Sequence, residues 1–104
     1  MNENKKLSTP HNDYFLSKII KHLMKTRQTT QQIFVRNLSS QTITLDVSPK
    51  DSVLIIKWLI LKRERILQVS QQNLWFSGRL LNDIESLEEQ GISAESTLQL
   101  SAKM

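Results

Sequence analysis

Apolar and polar residues follow two different patterns along the chain, and the pattern changes near residue 31. Residues 14–25 carry apolar side chains at the three- and four-residue spacing of one helix face, and lysines fill the other face. From residue 32 apolar and polar residues alternate, which is typical of half-buried strands. The chain therefore divides into an N-terminal extension (residues 1–31) and a folded domain (residues 32–104).

The N-terminal extension is predicted to be partly disordered, with a short amphipathic helix over residues 14–25. Asp13 is a suitable N-cap for that helix. An isolated helix shorter than about 12–15 residues is only marginally stable in water, so this one needs a surface to pack on. The apolar face of the predicted helix consists of Phe15, Leu16, Ile19, Ile20 and Leu23.

The domain has the element order strand, strand, helix, strand, strand, strand. The first two strands are close enough in sequence to form an antiparallel hairpin. Asp51 or Ser52 is expected to cap the helix, and Gly91 to close a brief helical turn. This order predicts an α+β fold with one helix packed on a mixed sheet. The predicted strands cover residues 32–36, 41–47, 73–76, 79–81 and 95–101, the helix 53–65 and the helical turn 86–91.

Composition and charge exclude several classes of function. The chain has 104 residues and no cysteine, which excludes disulfides and thiolate chemistry, and its two glycines cannot form a glycine-rich phosphate loop. The net charge of +4 lies entirely in the N-terminal extension, because the domain carries eight basic and eight acidic side chains. The domain is therefore not expected to bind nucleic acid.

No catalytic site, metal or cofactor is expected. The two histidines, His11 and His22, both lie in the N-terminal extension, and no nucleophile is spaced to either one. No apolar stretch approaches the roughly 18 residues of a membrane span, and the N-terminus does not resemble a secretory signal. These features, with the absence of cysteine, favour a cytoplasmic or nuclear location.

Four segments of the domain resemble ubiquitin: QIFVRNL, QTITLDVSPKDSV, QQNLWFSGRLLND and ISAESTLQL. The resemblance covers residues 32–102 and implies a β-grasp fold. The core that it implies agrees with the alternation of apolar residues. That core is Ile33, Val35, Ile43, Leu45, Val47, Val53, Ile56, Ile60, Leu74, Leu81, Leu87, Ile92, Leu98 and Leu100.

The differences from ubiquitin bear on function. The sequence ends in LSAKM where ubiquitin has a flexible tail ending in Gly-Gly, so conjugation through the C-terminus is not expected. Of the acceptor lysines that the resemblance implies, only Lys57 is present, and Asp83 stands at the position of its ion-pair partner. We therefore expect a non-conjugated interaction module, an adaptor to ubiquitin–proteasome or related machinery. The alternative is a conjugable modifier, or the N-terminal fragment of a longer adaptor, whose C-terminus is missing.

Members of the ubiquitin family usually bind protein partners through a small apolar patch on the outer face of the sheet. At the matching positions this chain has one large aromatic residue, Trp75, and a more polar edge. Trp and Arg are the residue types that most often dominate interface energies. The predicted partner-binding residues are Leu38, Trp75, Gln99 and Ser101, surrounded by Arg36, Asn73, Gly78 and Arg79.

A second candidate surface follows from the predicted helix, which is apolar on nearly all sides. A helix of this kind is normally buried on both sides. The side away from the sheet carries Leu54, Ile55, Trp58 and Leu61. Three states of this surface remain open: docking of the predicted helix of the extension, binding of a partner or a second copy, and simple exposure. The extension could instead lie on an anionic membrane or in the groove of a protein of the calmodulin type, which we consider weaker possibilities.

Overall fold

A five-stranded mixed sheet carries one main helix across one of its faces. The computed structural model describes residues 18–22 and 27–103. The strand order is β2-β1-β5-β3-β4, with β1 and β5 parallel and the other neighbours antiparallel. The elements are β1 (Gln31–Arg36), β2 (Thr42–Val47), α1 (Val53–Glu64), β3 (Gln72–Phe76), β4 (Arg79–Leu80) and β5 (Thr97–Ala102).

The predicted α+β fold is confirmed, with small changes at the ends of elements. β1 begins one residue earlier than predicted, at Gln31, which was assigned to the extension. β2 begins one residue later, β4 ends one residue earlier, and β5 covers 97–102 in place of 95–101. The predicted helical turn is a 3₁₀ turn, Glu88–Gln90, closed by Gly91 in the left-handed conformation at φ 79°. Element ends differ in this way because caps and turns, and not apolar alternation, determine them.

The caps of α1 explain its bounds. Ser52 is the N-cap, and its hydroxyl oxygen accepts a hydrogen bond from the backbone N–H of Ile55 at 3.3 Å. Arg65 was predicted to be the last helical residue, but it adopts the left-handed conformation at φ 59° and ends the helix as its C-cap. Its backbone N–H donates to the carbonyl of Leu61, which satisfies one of the carbonyls left open in the last turn.

The segment after α1 is more ordered than the predicted loop over residues 66–72. It contains a 3₁₀ turn, Val69–Gln71, and its last residue, Gln72, already belongs to β3. The Gln72 side chain is fully buried, and its Nε2 donates to the carbonyls of Lys57 and Leu67. These two hydrogen bonds join the first residue of β3 to the middle of α1 and to the segment that connects the two elements.

The core lies between the sheet and α1, as the sequence predicts. Every residue of the predicted core is buried except Ile43, which is half-buried and packs against the others. Ile43 lies near the start of the edge strand β2, beside the turn that joins it to β1, whereas Leu45 and Val47 further along β2 are buried. The buried members are Ile33, Val35, Leu45, Val47, Val53, Ile56, Ile60, Leu74, Leu81, Leu87, Ile92, Leu98 and Leu100.

A buried asparagine organises the turn between β1 and β2. The Asn37 side-chain oxygen accepts hydrogen bonds from the backbone N–H groups of Ser39 and Gln41, both at 2.9 Å. Its Nδ2 donates to the carboxylate of Glu64, at the end of α1, at 3.0 Å. One side chain therefore holds the turn and connects it to the helix.

We expect Asn37→Ala to lower the free energy of unfolding by about 1–3 kcal/mol, because three hydrogen bonds lose one partner. Urea unfolding followed by circular dichroism measures this change. Ser39→Ala, at an exposed position of the same turn, is the control and should stay within about 0.5 kcal/mol of the wild type. An Asn37→Ala variant as stable as the control would contradict the role of this side chain.

Candidate interaction surfaces

The face of the sheet away from α1 brings four outward side chains into one row. Trp75 in β3 pairs with Gln99 in β5 and with Leu80 in β4, and Gln99 also pairs with Arg36 in β1. Directly paired residues project on the same side of a sheet. The next residue before Trp75 is Leu74, which is buried in the core, so the row faces away from α1. We call the surface formed by these four residues, with Asn73 and Ser101 beside them, the sheet face.

Trp75 is held in position on the sheet face. Its indole N–H donates a hydrogen bond to the Ser101 hydroxyl oxygen at 2.9 Å. Ser101 pairs with Asn73 in the β3–β5 register, two residues from the Trp75 pair, so all three side chains lie on one side. The ring is half-buried, and the hydrogen bond restricts its rotation.

Leu80 extends the apolar part of the sheet face, although it was not predicted. Leu38, which was predicted, is 46% exposed in the turn after β1. Leu80 is 51% exposed and is paired with Trp75. Alternation with the buried Leu81 could have identified it, but a strand of two residues gives a weak pattern.

The two predicted arginines lie on different sides of the sheet. Arg79 pairs with Phe76, which packs against the main core, so it projects on the side of α1, contrary to the prediction. Its guanidinium donates to the backbone carbonyl of Gln90 at 2.8 Å. Arg36 is exposed at the end of β1. Gly78 occupies the turn between β3 and β4 at φ 76°, and a Cβ there would meet no atom within 4 Å. The sheet face thus combines an apolar centre, positive charge and an open turn.

The second surface lies on the other side of α1, where a second apolar cluster forms. Its buried members are Ile20, Trp58 and Val69, and we call these three residues the outer cluster. Val69 was not predicted, because it lies in the segment that was interpreted as a loop. The other residues of the predicted helix face, Leu54, Ile55 and Leu61, are half-buried against the cluster. Leu59 is half-buried against it as well.

Part of the predicted helix of the extension contributes to the outer cluster. Residues 18–22 are helical, and Ile20 is only 3% exposed. Its neighbours Lys18, Ile19, Lys21 and His22 are exposed, so one side of the helical residues is covered. The other predicted residues of that apolar face, Phe15, Leu16 and Leu23, lie outside the described residues, as do Asp13 and the ends of the helix predicted over 14–25.

An ion pair fixes the chain just before β1. The Arg27 guanidinium donates to both carboxylate oxygens of Asp51, with distances of 2.8 to 3.1 Å, and also to the carbonyl of Asp46 at 3.2 Å. Asp51 is buried and also accepts the backbone N–H of Ser48 at 2.9 Å. Paired geometry of this kind gives strong, directional contacts. This ion pair was not predicted from the sequence. The one hint was that Arg27 is the only arginine of the extension.

Lys57, at the position of a family acceptor lysine, is buried in an ion pair. Its Nζ lies 2.6 Å from a carboxylate oxygen of Asp83, and the lysine side chain is only 4% exposed. A conjugating enzyme needs access to the amine, and here the amine is covered and paired. The geometry therefore fits a structural role.

The described residues contain no cluster of three or more His, Cys, Asp or Glu side chains suited to a metal ion. Among the helices in that same part of the chain, none combines the length and the apolar character needed to cross a membrane.

Comparison with protein families agrees with this geometry. The family model described as Ubiquitin family matches residues 33–104. This range contains α1 and all five strands except the first two residues of β1. The match and the helix packed on a five-stranded mixed sheet confirm the predicted resemblance and the β-grasp fold.

We expect Asp83→Ala to lower the free energy of unfolding by about 1–3 kcal/mol, because it leaves the Lys57 ammonium buried without its partner. The loss should be smaller than for a fully buried pair, since the Asp83 side chain is 44% exposed and water can enter. Chemical denaturation measures both this variant and the double variant with Lys57→Met. The double variant should recover most of the loss, and equal stability of Asp83→Ala and wild type would contradict a structural ion pair.

Proposed function

We propose, since the chain belongs to the ubiquitin family, that it is a protein–protein interaction module that captures a partner on its sheet face. In this proposal the domain acts without being conjugated, as an adaptor to ubiquitin–proteasome or related machinery in the cytoplasm or nucleus. The observation that carries the proposal is Trp75, which projects from the sheet and is held by Ser101.

The position of Trp75 favours binding on energetic grounds. Ordering a side chain at an interface reduces affinity, and the hydrogen bond to Ser101 has already restricted the Trp75 ring. A large ring surrounded by less important contacts is the usual form of an interface hot spot. Leu80, which is 51% exposed and paired with Trp75, supplies an apolar contact of this kind on the same surface.

The chemistry of the sheet face also describes the partner. The apolar centre at Trp75 fits an aliphatic or aromatic side chain, and the exposed Arg36 at its edge fits a carboxylate. The other apolar surface, on the outer side of α1, already contains Ile20. Of the two candidate surfaces, the sheet face is therefore the one that the described residues of the extension do not cover.

Trp75→Ala should weaken partner binding by about 30-fold or more, the effect of losing a hot spot of 2 kcal/mol. Binding is measured with purified proteasomes and with a panel of isolated ubiquitin-receptor domains, and an amide spectrum of each variant verifies the fold. Ser101→Ala retains the ring but removes its hydrogen bond, so we expect a smaller loss.

Ile84→Ala is the matched control, because Ile84 is apolar and 83% exposed but lies in the segment after β4. Its affinity should equal that of the wild type. A folded Trp75→Ala variant that binds as tightly as the wild type would exclude the sheet face as the binding surface. A wild-type chain that binds none of these probes would exclude the proposed class of partner.

A further inference from the structure

The outer side of α1 has the form of a groove for a helix. Leu54, Trp58 and Leu61 recur at the four- and three-residue spacing of a single helical stripe. Val69, from the 3₁₀ turn that follows α1, is buried against Trp58 and adds a second wall. Lys62 stands at the border, with its Nζ 5.7 Å from the centre of the Trp58 ring. An apolar stripe with a basic border is the kind of surface on which an amphipathic helix docks.

The structure already places a helical side chain in this groove. Ile20 lies in the outer cluster, and the residue before it, Ile19, is 43% exposed. Two adjacent residues of one type therefore differ sharply in burial, as expected where a helix packs through one side. Leu16 and Leu23 are four residues before and three after Ile20, so a longer helix would present them on the same side.

Arg27 holds the chain in place on the C-terminal side of Ile20. Its ion pair with Asp51 lies immediately before the N-cap of α1, whereas Ile20 reaches Trp58 in the middle of the helix. Ile20 therefore lies beside the middle of α1, and Arg27 lies at its N-terminal end. Beyond Arg27, Thr30 donates its backbone N–H to Val47 and leads directly into β1.

We propose that the outer side of α1 is a docking site for an amphipathic helix, that the helical residues 18–22 of the same chain occupy it, and that the Arg27–Asp51 pair holds them there. A short linker gives a tethered segment an effective concentration in the millimolar range. A helix from another protein must exceed that advantage to enter the groove. The site is thus closed in cis, and weakening the ion pair opens it.

The first experiment compares Ile20→Asp with Ile19→Asp in the full chain, two adjacent and chemically identical changes. Indole N–H spectra report on Trp58 and Trp75 separately, and a Trp75→Phe variant assigns the two signals. Ile20→Asp should shift the Trp58 signal and speed its hydrogen exchange by about tenfold or more, since a charge cannot enter the apolar groove. Ile19→Asp should leave both unchanged, and the Trp75 signal should stay constant in both variants as a check of folding.

The second experiment adds a synthetic peptide of residues 13–26 to each variant, at up to about 1 mM, the range of the tethered concentration. The peptide should bind Ile20→Asp at least tenfold more tightly than it binds the wild type, whose groove is occupied. The peptide affinity of Arg27→Gln should lie between those of Ile20→Asp and the wild type. Its Trp58 hydrogen exchange should be about tenfold faster than in the wild type, because a charged hydrogen-bonded pair is lost. Arg27→Lys should recover part of this effect.

Unchanged Trp58 signals in Ile20→Asp, or equal peptide affinity for all variants, would overturn the proposal. Trp58 signals that change on dilution of the wild type would show that a second copy supplies the helix, which also contradicts docking in cis. These outcomes are independent of the proposed function, because partner capture is tested through Trp75 and the groove through Trp58.

Discussion

The structure depends on a helix that has apolar residues on both of its sides. The inner stripe of α1, Val53, Ile56 and Ile60, is buried against the sheet and forms the centre of the main core. The outer stripe has no sheet to cover it, and leaving a continuous apolar stripe in contact with water is unfavourable. The 3₁₀ turn at Val69 and the helical residue Ile20 cover it from two directions. The packing of the extension is thus a consequence of the composition of α1.

Asp51 connects the elements that this packing brings together. Its buried carboxylate accepts hydrogen bonds from the Ser48 backbone N–H, just after β2, and from the Arg27 guanidinium, just before β1. The next residue, Ser52, caps α1. A buried carboxylate is costly unless it is paired and hydrogen-bonded, and Arg27 supplies the opposite charge. The residue that precedes the N-cap of α1 therefore also holds the end of the extension against the domain.

Most of the domain was predictable because its pattern is local. Alternation in β1 and β2 and the stripe in α1 each determine which side chains face the core, and the structure agrees for all but the half-buried Ile43. The Arg27–Asp51 pair joins residues 24 positions apart, and no periodicity marks such a contact. Leu80 and Val69 were missed for a related reason, since a two-residue strand and a single 3₁₀ turn are too short to show a pattern.

The two surfaces lie on opposite sides of the molecule, and this arrangement determines how they can influence each other. The main core and α1 separate the row at Trp75 from the outer cluster, so a partner on the sheet face does not meet Ile20 directly. Coupling between sites requires that one ligand favour one of two states at the other site. Trp58 packs with Ile20 and Val69 and lies beside Lys62 on the outer side of α1, whereas Trp75 is hydrogen-bonded to Ser101 on the sheet face. The proposed capture at the sheet face and the proposed occupation of the outer groove therefore use separate surfaces, and neither proposal requires the other.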